Sequence, residues 1–304
     1  MCRNGRHYFI VLFILVILAA AFSGCGRAAP DESPAESAAA ARADTETAAP
    51  VREDLPEPKA ASGTKEPEIT PPEVSETAPL EPSEQPSENK IIPTRVPILY
   101  YHSVSDRPVG IYELSVATKD FEAQMRYLAE NGYTAITFAE LENFTAYEKP
   151  VIITLDDGYA DNYSNAYPIL KKYGLKATVF LISGLIDTPG YLTRDEMKEM
   201  TDIVSFQAHT TLHENLTVLS PKELQKALIV PRVRISAITN EPVYVFAYPT
   251  GYYNDKVKSA VSEHYDYAVT IKWGYYEEGG DKLLIRRLYM HRDRTLGEFK
   301  AMLG

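Results

Sequence analysis

Two short stretches of the chain hold residues whose types and spacing can do chemistry. Residues 154–159 read TLDDGY and follow the apolar run Val151-Ile152-Ile153. Adjacent carboxylates repel, and withdrawing both from water is costly unless a cation or a proton donor compensates. Taken alone, the segment also reads as a solvated Asp-Asp-Gly turn leading into a helix. Residues 209–216 read HTTLHENL. His209 and His213 are spaced so that one helical turn would point both imidazoles at one centre, and Asp157 can supply a third ligand. Two histidines and one carboxylate hold a divalent metal, zinc above all, with positions left open for water and substrate. The paired aspartates then divide the work. One binds the metal, and the other stays free beside the water to be activated, close enough to take its proton. Gly158 lets the chain turn tightly, so that both carboxylates reach one mouth. The same ligand set also suits an Fe(II) oxygenase, where a free second aspartate has no evident role. No G-x-S-x-G elbow occurs, which argues against a serine hydrolase.

Such residues need a frame that brings strand ends together. Apolar, β-rich runs recur at 98–102, 134–138, 151–155, 177–182, 203–208, 243–249, 267–271 and 284–290. Helical patterns at 119–132, 161–174 and 220–239 lie between some of them. In the first, Phe121, Met125 and Leu128 mark one face; in the last, Pro231 predicts a kink or a division. Alternating strands and helices without a glycine-rich dinucleotide loop predict an α/β fold. The expected form is a distorted (β/α) barrel of seven or eight parallel strands, with its chemistry at the C-terminal strand ends. Asp156, Asp157, His102, His209 and Tyr248 all fall at such ends.

The first third of the chain differs in kind. Arg3 and Arg6 precede an apolar run from Tyr8 to Phe22, too short to span a bilayer and of the length of a signal-peptide core. Phe22-Ser23-Gly24-Cys25 resembles a bacterial lipoprotein box, with Phe22 where leucine is usual. By that resemblance residues 1–24 are removed and Cys25 carries lipid, placing the protein on the outer face of the cell membrane. Only Cys2 and Cys25 occur, so no disulfide pair remains after processing. Residues 25–95 are rich in Ala, Glu, Pro, Ser and Thr, hold twelve of the 21 prolines, and lack aromatic residues. Such a composition predicts a disordered acidic tether, with an end-to-end reach of about 45 Å or more. Much of the net charge of −11 lies there, and nothing resembles a basic nucleic-acid footprint. Residues 96–304 have the length of a single α/β domain, expected to be monomeric.

The folded part resembles the polysaccharide deacetylases, carbohydrate esterase family 4, the NodB homology domain. Thr154-Leu155-Asp156-Asp157-Gly158 is similar to its T-F/L-D-D-G motif, and His209-Thr210-Thr211-Leu212-His213 with Leu216 to its H-S/T-x-x-H-x-x-L motif. VPILYYHSV (96–104), KKYGLKATVFL (171–181) and VFAYPTGYYND (245–255) resemble the branch that includes poly-N-acetylglucosamine deacetylases. The resemblance implies removal of N- or O-acetyl groups from a sugar polymer. Asp156 would be the general base, and Asp157, His209 and His213 the ligands of a divalent metal. The family's R-x-P-Y-G motif falls on Ala247–Gly251, without its arginine. Arg287, on the last strand run, is the candidate replacement, and the oxyanion-binding backbone N–H falls on Thr250. The general acid is left open between His291, a loose match to the family's last motif, and His102. Trp273 would by analogy wall the acetyl pocket. A glycan-binding protein on an inactive form of the fold, and an O-acetyl esterase acting on xylan, are the alternatives.

Overall fold

Ten strands form among the described residues. They are β1 (Arg95–Val96), β2 (Ile98–Tyr101), β3 (Thr134–Ala135), β4 (Pro150–Asp157), β5 (Ala177–Leu181), β6 (Val204–Ala208), β7 (Val245–Ala247), β8 (Tyr267–Trp273), β9 (Tyr276–Glu277) and β10 (Ile285–Tyr289). Eight of them fall on the predicted apolar runs; β1 and β9 lie outside them. Seven of them, in the order β2-β10-β8-β7-β6-β5-β4, pair in parallel, and β2 pairs with β4 to close the barrel. The computed structural model describes residues 92–108 and 110–303, all within one compact unit. The predicted signal segment, Cys25 and the tether up to residue 91 lie outside the described residues.

Period-two alternation sorts the strand residues into two apolar layers. Ile98, Ile152, Phe180, Val245, Val269 and Ile285 belong to one cluster. Their neighbours Leu99, Ile153, Val179, Phe246, Ala268 and Leu288 belong to the other, which includes the helices. Those helices are α1 (Thr118–Glu130), α2 (Tyr167–Tyr173), α3 (Arg194–Met200), α4 (Pro221–Thr239), α5 (Asp255–Ser262) and α6 (Leu296–Leu303). α1 buries the predicted face of Phe121, Met125 and Leu128. α4 opens on a capping box of Ser220 and Glu223.

Two expectations about the frame are corrected. The run at 134–138 does not become a barrel strand. Thr137 and Glu140 cap each other, so Phe138 starts a 3₁₀ segment, and β3 pairs only with Pro150–Val151 at the foot of β4. Pro231 does not divide α4, which runs unbroken from Pro221 to Thr239. Buried Leu224, Ala227 and Leu228 before the proline and Ile235 after it pack against one core. That shared burial offsets the one helical hydrogen bond the proline removes. In addition, among the described residues no helix lies between β8 and β10. The chain instead makes β9, which pairs antiparallel with β1.

Candidate metal centre and active site

β4 is buried along its whole length and delivers both aspartates to the mouth of the barrel. Successive strand residues ordinarily face opposite sides. Here the turn begins one residue earlier than Gly158: Asp157 itself has φ 76°, and Gly158 follows at φ 78°. Any Cβ at position 158 would collide with the Leu181 side chain, so glycine is required there by space as well as by torsion. The left-handed Asp157 swings its carboxylate toward the end of β6.

The two histidines meet it from a turn, which corrects the expected helical presentation. Thr210 (φ 63°) and His213 (φ 60°) lie in left-handed backbone, and Ser183 N–H and Gly184 N–H donate to the carbonyls of Thr210 and Thr211. A Cβ on Gly184 would strike the Thr211 carbonyl, so this docking also depends on glycine. His209 Nδ1–H donates to the Ala247 carbonyl at 2.8 Å, which leaves the Nε2 lone pair facing Asp157 Oδ1 at 3.5 Å. His213 Nε2 lies 3.9 Å from the same oxygen.

These three side chains fit a divalent cation on their own chemistry. Ligand atoms from Asp157, His209 and His213 all lie within 4.8 Å of one another. Asp157 Oδ1 is buried and accepts no hydrogen bond. Burial, and then the charge on Asp156, push the Asp157 carboxyl up to about 7. Burial pushes His209 down to about 3 and His213 downward as well, so both imidazoles are neutral donors. An orphaned oxygen facing two uncharged lone pairs lacks one positive charge.

Asp156 meets the opposite environment. Arg287, from β10, grips it with two 2.8 Å hydrogen bonds, Nη1 to Oδ1 and Nη2 to Oδ2. The arginine is itself held by the Thr270 carbonyl, by Thr154 Oγ1, and by the Tyr100 ring 3.8 Å beneath its guanidinium. Burial alone would raise the Asp156 carboxyl. The charge and hydrogen bonds of Arg287 outweigh it and hold the group below its ordinary range. The sequence pointed to Arg287 as the replacement for the absent motif arginine, and the structure brings it onto Asp156. It did not point to Thr154 as a brace, although that threonine stands inside the aspartate motif.

The remaining candidates separate by position. His102 is buried at the end of β2, with Tyr100 Oη 2.9 Å from its Nε2 and no partner on Nδ1. Burial takes it down to about 4, while Asp156 pulls upward and Arg287 and His213 downward, which puts it in the electrostatic field of the site. His291 is lowered by burial and then by Arg294, with Asp293 and Glu298 opposing, and it connects to His102 through the intervening rings of Tyr289 and Tyr100. Thr250 has φ 53°, in a 3₁₀ turn between Pro249 and Gly251 just past β7. Trp273 stands in an open groove on the rim, 59% exposed, and none of the residues sharing that groove belongs to the metal set. Asp161 and Asn162, which the sequence did not single out, fasten the His102 segment. Asp161 accepts from Ser103 Oγ at 2.5 Å and Val104 N–H at 3.0 Å, and Asn162 donates to the His102 carbonyl at 3.0 Å.

Residues 144–268 match the family described as polysaccharide deacetylase. The crystal structure of a polysaccharide deacetylase from Bacillus cereus is 33% identical, covers 69% of this chain and 69% of its own, and superposes with a TM-score of 0.66. YxkH of Bacillus subtilis is 38% identical over 189 residues, 60% of this chain and 66% of that protein. A poly-β-1,6-N-acetyl-D-glucosamine N-deacetylase of Staphylococcus aureus is 33% identical over 143 residues, 42% of this chain and 47% of that enzyme. The chain thus spans just under two thirds of the first of these relatives and about half of the second. The chain belongs to the polysaccharide deacetylase family.

Proposed function

We propose that this protein is a metal-dependent hydrolase that removes acetyl groups from N-acetylglucosamine residues of a cell-wall or extracellular polysaccharide. The observation that carries the reading is the division between the aspartates: Asp157 faces two neutral imidazoles, and Asp156 is held ionised by Arg287. A binding module has no use for that division, and the bonds from Arg287 to Asp156 support its standing in for the absent motif arginine. The named activity of the staphylococcal relative supports N-acetylglucosamine as the substrate unit.

Asp157, His209 and His213 would hold the metal, with zinc matching the two-histidine, one-carboxylate set. Bound there, the ion supplies Lewis acidity. Asp156 accepts the proton of the attacking water, and Arg287 keeps that carboxylate charged and aimed. The Thr250 N–H is assigned to the acetyl oxygen as negative charge develops on it. His102 is assigned to the leaving amine in preference to His291. Its Nε2 is taken up by Tyr100, its Nδ1 is free to donate, and the growing negative charge of the substrate raises its hold on a proton.

The protein is further proposed to act as a monomer, anchored by lipid on Cys25 to the extracytoplasmic face of the membrane, with no nucleic-acid partner. Acetate release from peptidoglycan, poly-β-1,6-N-acetylglucosamine, chitin oligomers and acetylxylan, with and without chelator, tests the activity. Release from the first three that chelator abolishes is expected. Release from acetylxylan alone would make it an O-acetyl esterase, and none from any polymer would sink the reading.

A further inference from the structure

No helix lies between β8 and β10 among the described residues, and the end of β8 is left uncovered. β8 is buried from Tyr267 to Thr270, and its last three residues are exposed, Ile271 at 47% and Trp273 at 59%. A bulge does this. Ile285 pairs with Val269 but Arg287 pairs with Trp273, so four steps of β8 oppose two of β10. The same bulge presents the Thr270 carbonyl to Arg287. The exposed segment therefore lies one strand from the clamp on Asp156. It also touches the Thr250 turn, because Gly251 packs on Ile271 so closely that a Cβ would collide.

The bulge opens onto a groove lined by Tyr253, Lys272, Trp273, Tyr275, Glu277 and Arg286, among others. Tyr275 meets Trp273 edge-on, with ring centroids 5.8 Å apart. Lys272 bonds the Tyr253 hydroxyl and lies over the Tyr253 ring. Arg286 is exposed where its neighbour Arg287 is buried, so it faces outward, beside Gly274. An exposed aromatic platform ringed by charged hydrogen-bonding groups suits a ligand with an apolar face and polar edges. A pyranose ring is of that kind: its C–H face packs on an aromatic ring while its hydroxyls bond at the edge.

We infer that this groove is a second saccharide subsite. It would take a sugar of the polymer beyond the one at the metal, stacked on Trp273, with its hydroxyl or amide groups met by Lys272 and Arg286. The inference rests on the deacetylase reading for the identity of the sugar, and its test does not depend on turnover. Trp273 is the single tryptophan of the chain, so its fluorescence reports on this groove alone. The full chain carrying Asp156→Asn is titrated with hexamers of β-1,4- and β-1,6-linked N-acetylglucosamine. A saturable shift of the emission is expected, with the tighter hexamer identifying the linkage. In the active protein, Trp273→Ala should lower the preference for hexamer over dimer, as a ratio of kcat/KM, about three- to ten-fold, and Trp273→Phe should restore most of it. A flat emission with both hexamers overturns the subsite even if wild type releases acetate. A saturable shift in a protein that releases no acetate keeps the subsite and discards the deacetylase reading.

Discussion

At the residue scale, the proposed site depends on two neighbouring carboxylates whose hold on a proton is pushed in opposite directions, downward at Asp156 by Arg287 and upward at Asp157 by burial. Asp156→Asn keeps the shape and removes the basicity. It should reduce turnover by about 10²–10⁴ with metal content retained, whereas Asp157→Ala should lose metal and activity together. Comparable metal loss in the two, measured on purified protein, would reverse their assignment. Arg287→Met strands Asp156 as a buried, unpaired carboxylate. Breaking such a pair costs about 3–5 kcal/mol, and the acid limb of the pH–rate profile should move upward because the base is no longer held below its ordinary range. An unmoved acid limb would show that another group sets it. For Asp157 the sign is opposite. Its folded value of about 7 stands above the ordinary 3.8, so the metal-free protein loses stability as pH rises between them. In chelator, Asp157→Asn should gain on wild type in thermal melts across that window, and added divalent metal should erase the gain. For the acid, His102→Ala should reduce turnover far more than His291→Ala; the reverse order returns the role to the C-terminal histidine.

At the element scale, the turn after β4 is the part most sensitive to a single atom. Gly158→Ala meets both a φ of 78° and the Leu181 side chain. It should destabilise the protein by about 1–3 kcal/mol and lower metal occupancy by moving Asp157. Unchanged occupancy would mean that the turn does not set the ligand. The aspartate pair and the histidine pair were legible in the sequence because their chemistry needs those residue types at short, fixed spacing. The backbone that presents them was not. His209 and His213 read as one helical turn, yet hydrogen bonds from Ser183 and Gly184 to the carbonyls of Thr210 and Thr211 hold the segment as a turn in which Thr210 and His213 are left-handed, and no local pattern reports on partners in another loop. Likewise the run at 134–138 carries strand-forming residues, and the Thr137–Glu140 cap overrides them. Arg287 was legible only as a candidate, since its aspartate lies 131 residues away in the chain.

At the scale of the whole molecule, the described core is two large apolar clusters, and the candidate metal ligands belong to neither. A fragment starting near residue 92 should therefore fold alone, and chelator should leave its far-ultraviolet circular dichroism unchanged; unfolding on chelation would make the metal structural. Cys25→Ser should abolish lipid labelling of the full chain without altering that fragment's activity, and persistent labelling would refute the anchor. The clasp of Arg287 on Asp156 also has a bearing on synthesis. Asp156 lies on β4, and its guanidinium partner arrives on β10, the last of the strands among the described residues to leave the ribosome. Every shorter nascent chain has an unpaired carboxylate and an open barrel. The proposed site is therefore incomplete until β10 has emerged, and a truncated product that lacks Ile285–Tyr289 should be a failed fold rather than a weak catalyst.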